Sequence, residues 1–535
     1  MDNTVEKKNS SSVNYEPLTP LNFLRRTSFV YQDKTAVVYG DHHYTWKEFS
    51  NRVNRLSNSL KNRGIKKGDK VGFLCQNLPP LLEAHFGIPM TGAVLVPINT
   101  RLAKREISTI IKHSEAKILF IDAALAEQIE PQDIPGIQLF INITDEKDNS
   151  EPKYNLPGIG YEDFLAEGKD EYIKYDLEDE NEPISINYTS GTTGLPKGCV
   201  YTHRGAYIQS VAQVMEWGMD ISSVYLWTLP MFHCDGWCRS WAVACQGSTN
   251  VCLTKPDPEI IYDLIEKEGV THMCGAPILW DRLNQYMEEK GLKFPHNVKI
   301  DSGGAPPSTK LTRSMESKGA TIVHSYGLTE ALGGFTICEV QPEWDNLSAE
   351  ERAKVKIRQG VANVAAGEVR VVDDSMKEVP YDGKTIGEIV MRGNGLMKEY
   401  YKQPKETEEA FAGGWFHTGD GAVVHPDGYL EIKDRFKDII ISGGENISSM
   451  EVENVIHEHP DVLEVACFGI KDDMWGEAVK ALVKVRESSK TDAEDIINFC
   501  RERIAHYKCP KEVEFGEIPR SSTGKILKYI LRKQN

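Results

Sequence analysis

The densest concentration of chemically useful residues is a run of eleven, Tyr-Thr-Ser-Gly-Thr-Thr-Gly-Leu-Pro-Lys-Gly, from Tyr188 to Gly198. Three glycines and four hydroxyl side chains crowd around one cation, Lys197. Glycine lets a backbone curl until several N–H groups face one point. Gly191 and Gly194 supply that freedom here, and Thr189, Ser190, Thr192 and Thr193 add hydroxyl donors. Such a set suits a phosphate, with Lys197 as counter-charge. It is not a Walker A loop, which needs Gly-Lys-Ser/Thr, because Lys197 follows Pro196 and precedes Gly198. A plain flexible loop has no use for so many phosphate donors.

Further along lie Gly303-Gly-Ala-Pro306, Tyr326-Gly-Leu-Thr-Glu330, Thr418-Gly-Asp420 with Arg435 behind it, Gly443-Gly-Glu-Asn446, and Pro519-Arg-Ser-Ser-Thr-Gly-Lys525. Taken singly, each has an ordinary reading, such as a strand-turn Tyr-Gly with a surface glutamate, or a solvated terminal Gly-Lys. Together and in this order they resemble the signatures of the adenylate-forming superfamily. Its members include acyl-CoA synthetases, the adenylation domains of peptide synthetases and beetle luciferases. The resemblance runs from about Tyr188 to Lys525, and the alternation of elements from Phe23 onward fits it.

That resemblance implies an AMP-forming acid–thiol ligase. A carboxylic acid and ATP give acyl-AMP and pyrophosphate; acyl-AMP and coenzyme A then give acyl-CoA and AMP. It implies that the 188–198 run holds the ATP phosphates through Thr189, Ser190, Gly191, Thr192, Thr193, Gly194 and Lys197. Gly304, Ala305 and Pro306 would line one side of the adenine and Tyr326 would stack on it, with Gly327 and Thr329 in the same motif. Glu330 would help hold Mg2+, a hard cation that stays on phosphate oxygens. Asp420 would accept from both ribose hydroxyls, with Arg435 as its cationic companion. Lys525 would reach the reacting carboxylate and α-phosphate, where one anion must attack another. At ~4 Å and an effective dielectric of ~20 a unit charge is worth roughly 4 kcal/mol, about a thousandfold in rate. Rotation of a small C-terminal domain about Lys437 would then clear the site for a thiol. Gly443, Gly444 and Glu445 would line the channel for the pantetheine arm of CoA.

The acid is less sharply specified. Met231-Phe-His-Cys-Asp-Gly-Trp237 resembles the family segment in which His233 flanks the acyl carboxylate. Trp237, Gly303, Ala331 and Leu332 would wall the pocket, and the bulk of Trp237 favours a short- to medium-chain fatty or related small acid. Asp235 stands where a branch of plant-type and medium-chain ligases often carries asparagine, and two readings follow. If it faces the acyl tail, its burial calls for a hydroxylated or cationic partner, such as 4-hydroxybutyrate or a carnitine- or betaine-like acid. Otherwise it bonds to backbone or to Arg239 and never meets substrate. A carrier-loading adenylation enzyme is the nearest rival activity, although no appended carrier module with a serine attachment motif is recognisable.

The elements that must position these residues alternate between helix and strand, as in an α/β protein. Phe49, Val53, Leu56 and Leu60 recur at helical spacing, and Gly64 stops that helix before a strand over Lys70–Leu74. Ile260, Ile261, Leu264 and Ile265 predict a helix ending near Gly269, followed by a strand from Val270 to Cys274. Short strands are expected over Ile184–Asn187, Lys299–Ser302 and Thr321–His324, and the polar stretch Asp145–Glu182 reads as connecting surface. Near the C-terminus, Ser448 and Glu451 form a capping-box pattern. Strands over Val462–Ile470 and Ala478–Val485 follow, then a helix from about Asp492 to His506. The expected architecture is a large N-terminal domain of mixed sheets flanked by helices, residues 1–434, and a small mobile α+β domain, residues 435–535.

The bulk properties agree with a soluble enzyme. At 535 residues the chain exceeds one compact core. A net charge of −17 repels polyphosphate backbones and excludes broad nucleic-acid binding. Eleven scattered cysteines and a polar N-terminus point to a reducing cytoplasm rather than a disulfide framework. Cys234, Cys238, Cys245 and Cys252 lack the paired spacing of a zinc site and read as small buried apolar residues. No stretch is long enough for a membrane span. The partners expected are small molecules, with the enzyme a monomer or homodimer.

Overall fold

The computed structural model describes residues 15–145, 156–189, 196–435, 438–442, 445–472, 475–520 and 526–534. The N-terminal part is built on two large sheets. One has nine strands among the described residues. Its parallel centre comprises Thr35–Tyr39, Thr249–Val251, Val224–Leu226, His272–Gly275, Val298–Ser302 and the first half of Ala320–Leu328. The other has eight, with Val94–Pro97, Lys70–Leu74, Ala116–Asp122 and Leu139–Ile143 in parallel. One side of that sheet ends in the antiparallel hairpin Pro183–Tyr188/Gly198–Thr202 and the edge strand Glu399–Tyr400. A four-stranded antiparallel sheet, Glu368–Val372, Gly387–Arg392, Phe416–Val424 and Leu430–Arg435, follows.

Local sequence explains the elements. Helix Trp46–Asn62 opens on a complete Thr45/Glu48 capping box, and Phe49, Val53, Leu56 and Leu60 are its buried stripe. Helix Pro258–Glu268 is capped by Asp257 and ends at Gly269, whose φ of +66° suits glycine. One apolar core contains Phe49, Leu56, Phe73, Phe86, Tyr201, Trp227 and Trp241, so both large sheets pack on common side chains. The C-terminal unit has its own sheet of Ile440–Ser442, Glu445–Ile447, Val462–Asp472, Gly476–Val485 and Glu512–Phe515. Helices Ser449–His457 and Ala493–Arg501 close its core through Val452, Ile456, Ile496 and Cys500.

Several sequence expectations change. The stretch Asp145–Glu182 is not merely connecting surface: helix Tyr161–Ala166 buries Tyr161, Phe164 and Leu165 in the main core, and Glu180 ion-pairs with Arg204. Polar neighbours hid that short apolar face. Ser448 caps its helix, yet Glu451 turns away to ion-pair with Lys508 at 2.7 Å instead of reciprocating. The helix placed over Asp492–His506 ends at Arg501. Strand Ala320–Leu328 is longer than its apolar core suggested and carries Tyr326 and Gly327 inside the ladder rather than in a turn.

Candidate active site

Strand Ala320–Leu328 changes partners midway. Residues Ala320 to His324 pair in parallel with Val298–Ser302, and Ser325 to Leu328 pair antiparallel with Gly333–Ile337. Tyr326 sits just past that switch, near the carboxyl ends of the parallel strands, where open α/β sheets place their ligands. Its hydroxyl donates to Asp420 Oδ2 at 2.6 Å. The other carboxylate oxygen, Oδ1, faces Arg435 Nε at 3.1 Å, because the hairpin register sets Asp420 directly opposite Arg435. Thr418 Oγ1 accepts from the Asp420 N–H at 3.1 Å. Burial, and then the Asp420 carboxylate, push the Tyr326 phenol well above its ordinary pKa, so it remains a donor. A carboxylate has about four acceptor positions. Asp420 therefore keeps capacity for a vicinal diol after Tyr326 and Arg435 have fixed its plane. A Cβ on Gly327 would lie 1.6 Å from the Gly333 carbonyl, so that position admits no side chain. Gly304, at φ +81°, and Ala305 are exposed, and Pro306 is half-buried at the rim.

A second cluster lies beside the phosphate-loop candidate. Thr189 N–H donates to the Lys197 carbonyl at 2.9 Å, which clasps the two ends of that loop. The Lys197 ammonium sits over the Tyr400 ring, 4.7 Å from its centroid. The Tyr400 hydroxyl donates to Glu330 Oε1 at 2.7 Å. Burial and the Glu330 charge raise the Tyr400 pKa far above its usual range, so this donor is permanent at neutral pH. Glu330 is also anchored through its carbonyl, which accepts from Met397 N–H at 2.7 Å, and neighbouring Thr329 through its carbonyl, which accepts from Tyr201 at 2.6 Å. Tyr400 is the functional candidate that sequence reasoning missed. The available signal was an aromatic pair, Tyr400-Tyr401, flanked by the charged residues Lys398, Glu399 and Lys402. Ser190, Gly191, Thr192, Thr193 and Gly194 lie outside the described residues, as do Lys437, Gly443, Gly444 and Lys525. Glu445 begins the short strand Glu445–Ile447, opposite Ser442.

The third cluster follows strand Val224–Leu226. Asn77 spans the chain there: its amide donates to the carbonyls of Trp227 and Leu229, both at 2.9 Å, and its Oδ1 accepts from Met231 N–H at 2.8 Å. His233, half-buried, then leads into a turn of unusual hand. Cys234, Asp235, Gly236, Trp237 and Cys238 all have φ between +45° and +61°. Four of the five carry side chains, and each such residue costs roughly 1–2 kcal/mol in the left-handed region. Asp-Gly was the only hint of this in the sequence.

Asp235 does not pair with Arg239, and its carboxylate turns toward strand Pro183–Tyr188. Asn187 Nδ2 donates to Oδ1 at 2.6 Å, Ser185 Oγ donates to Oδ2, and Asp235 N–H donates back to Asn187 Oδ1 at 3.1 Å. Complete burial pushes its pKa up to about 6 against the lowering effect of those two donors. Arg239 instead pairs with Asp301 at 2.6 Å, with both side chains buried. Between these two anchors Trp237 lies across three glycines. A Cβ on Gly303 would come within 2.3 Å of its ring, one on Gly333 within 2.9 Å and one on Gly334 at 3.6 Å. Ala331 and Leu332 are buried nearby, the Leu332 carbonyl 3.6 Å from Cys238 Sγ. Cys234, Cys238 and Cys252 are buried and Cys245 half-buried, and no group of three or more metal-ligating side chains occurs among the described residues.

Comparison with known proteins shows the family. The sequence model of the AMP-binding enzymes matches residues 24–401, and that of their C-terminal domain matches 451–525. The chain belongs to these AMP-binding enzymes of the adenylate-forming superfamily, and among them to the AMP-forming acid–thiol ligases. It is 47% identical to a 4-hydroxybutyrate–CoA ligase of Metallosphaera sedula, over 97% of this chain and 95% of that one. It is 43% identical to a peroxisomal acetate/butyrate–CoA ligase of Arabidopsis thaliana, over 97% and 95%. The ATP-bound crystal structure of MatB from Rhodopseudomonas palustris superposes with a TM-score of 0.82 at 26% identity, covering 96% of this chain and 98% of that one. As an acyl-CoA synthetase the protein takes a carboxylic acid, ATP and CoA as substrates. No helix among the described residues is long and apolar enough to cross a membrane.

Proposed function

We propose that this acyl-CoA synthetase acts on short-chain carboxylic acids of about four carbons. The observation that carries this reading is the packing of Trp237 over Gly303, Gly333 and Gly334, which fills the space a longer acyl chain would need. In the first step the carboxylate oxygen attacks the α-phosphorus and pyrophosphate leaves. Asp420, Tyr326 and Arg435 orient the nucleoside, Gly304, Ala305 and Pro306 border the base, and Lys197 with the 189–194 loop holds the phosphates. Lys525 balances the charge of the two anions, and His233 flanks the acyl carboxylate. In the second step the CoA sulfur attacks the acyl carbon and AMP leaves, after the 435–535 domain has turned about Lys437 and brought Gly443, Gly444 and Glu445 to the pantetheine arm. Catalysis in both steps is chiefly positioning and charge neutralisation.

Glu330 fits magnesium. It is a single carboxylate with one oxygen fixed by Tyr400, and that ion is ordinarily bound by one or two carboxylates together with substrate phosphates. When bound it would screen the phosphate charge. A hydroxylated four-carbon acid, such as 4-hydroxybutyrate, has one further observation in its favour. Trp237 Nε1 is buried without a hydrogen-bond partner among the described residues, and an acid bearing a hydroxyl would satisfy it. Eleven free cysteines favour a reducing compartment, in our reading the cytoplasm. The test is a panel of acetate, butyrate, 4-hydroxybutyrate, octanoate, benzoate and carnitine with ATP and CoA, following AMP release. Highest kcat/KM with butyrate or 4-hydroxybutyrate is expected. A preference for octanoate or benzoate would refute the short-chain reading, and release of acyl-AMP without thioester would indicate a carrier-loading enzyme.

A further inference from the structure

We infer that Asp235 is a specificity-determining positioning residue: tied to Ser185 and Asn187, it holds the left-handed turn that lays Trp237 across the acyl site. The inference rests on the acyl-site reading above but assigns Asp235 a role without substrate contact. Five consecutive residues with positive φ do not persist unless their surroundings over-determine them, and such strain gathers where it positions something. Here the restraint is identifiable. Ser185 and Asn187 stand two apart on strand Pro183–Tyr188 and so point to the same face. Both donate to the Asp235 carboxylate, and Asn187 also accepts from the Asp235 N–H at 3.1 Å. The Asp235 carbonyl accepts from Ser240 Oγ at 3.1 Å. Every polar group of this residue therefore has a protein partner, and the residue is fully buried among them.

The consequence lies two residues on. Trp237 emerges from the turn with its Cα and Cβ against Gly333 and its six-membered ring against Gly303. Were the turn to relax toward ordinary backbone, the direction of the Trp237 side chain would change and the three glycines would be uncovered. The pocket would lengthen for that reason alone. Asparagine at 235 can keep both side-chain bonds: its carbonyl oxygen accepts from Asn187, and its amide donates to the Ser185 hydroxyl, which reverses its role. Alanine keeps neither.

The experiment compares the full-length wild type with D235A, D235N, S185A and N187A. It measures kcat/KM for acetate, butyrate, hexanoate and octanoate, and KM for ATP. D235A is expected to raise KM for butyrate at least tenfold and to raise the octanoate-to-butyrate ratio of kcat/KM at least tenfold, with KM for ATP within about threefold. D235N should keep the wild-type ratio within about threefold, and S185A and N187A should fall between. A folded D235A with an unchanged chain-length ratio overturns the inference, as does a D235N that behaves like D235A. Should D235A fail to fold, S185A and N187A decide in the same way, and an unchanged ratio in both overturns it. A wild type that makes no acyl-CoA from any acid would overturn the function and this inference together, whereas an active wild type with an indifferent D235A overturns this inference alone.

Discussion

Replacing Tyr400 by phenylalanine removes one oxygen from the centre of the proposed ATP site. The phenol donates to Glu330 at 2.7 Å, and a hydrogen bond to a charged group contributes roughly 1.5–3 kcal/mol. If that bond orients Glu330 for the adenylation transition state, its loss slows acyl-AMP formation by about 13-fold to 160-fold. The ring remains, so the Lys197 contact at 4.7 Å survives in Y400F. Leucine removes both, and the lost cation–π contact adds roughly 0.5–2 kcal/mol. The assay is acid-dependent exchange of pyrophosphate into ATP, which reads the first half-reaction without CoA. Titrating magnesium in the same assay should show a higher requirement in Y400F, because Glu330 has lost its fixed orientation. Y400F within twofold of wild type, or Y400L no slower than Y400F, would refute the chain from Lys197 through Tyr400 to Glu330.

Lys525→Ala should lower acyl-AMP formation by about a thousandfold, the rate equivalent of roughly 4 kcal/mol of charge stabilisation. Thioester formation from supplied acyl-AMP should stay within a few fold, and equal loss in both half-reactions contradicts the assignment. Asp235, with a folded pKa raised to about 6, binds its proton more tightly in the folded chain than in the unfolded one, where a carboxyl titrates near 3.9. Its contribution to stability is therefore fully present below about pH 4 and lost as pH rises through 6, by up to ~3 kcal/mol. Asp235→Asn should accordingly gain on wild type in apparent unfolding midpoint between pH 4.5 and 7.5, and a pH-independent difference would contradict the burial of that charge. Arg239→Ala strands Asp301 without its partner in the core and should destabilise by about 3–5 kcal/mol in denaturant unfolding.

The family was legible because glycine, hydroxyl and charge at fixed spacing and in a fixed order mark it wherever those segments fold. What a sequence withholds is which distant residues meet. Tyr326 and Asp420 are 94 positions apart and touch only because a strand switches partners just before Tyr326 and a hairpin register puts Asp420 opposite Arg435. Tyr400 reaches Glu330 through the pairing of edge strand Glu399–Tyr400 with Gly198–Thr202, which no periodicity in a strand of two residues can foretell. The turn at Cys234–Trp237 was hidden for a different reason: the sign of φ leaves a trace in sequence chiefly where glycine is required, and only Gly236 is one. Asp235 itself gave two readings, and the choice between them depended on a strand some 50 residues earlier.

In the proposed function that strand joins the two halves of the chemistry. Pro183–Tyr188 offers Ser185 and Asn187 to the turn carrying Trp237, and through Thr189 it launches the loop that Lys197 closes. Its other neighbours, Val94–Pro97 and Gly198–Thr202, fix it within the eight-stranded sheet. On the proposed reading the acid and the nucleotide are thus referred to the same strand, rather than to two separate loops. Adenylation needs two anions brought to about 3–3.5 Å in line, and a displacement of about 1 Å costs on the order of a hundredfold in rate. If one strand holds both the proposed floor under the acyl chain and the base of the proposed phosphate loop, that displacement stays small.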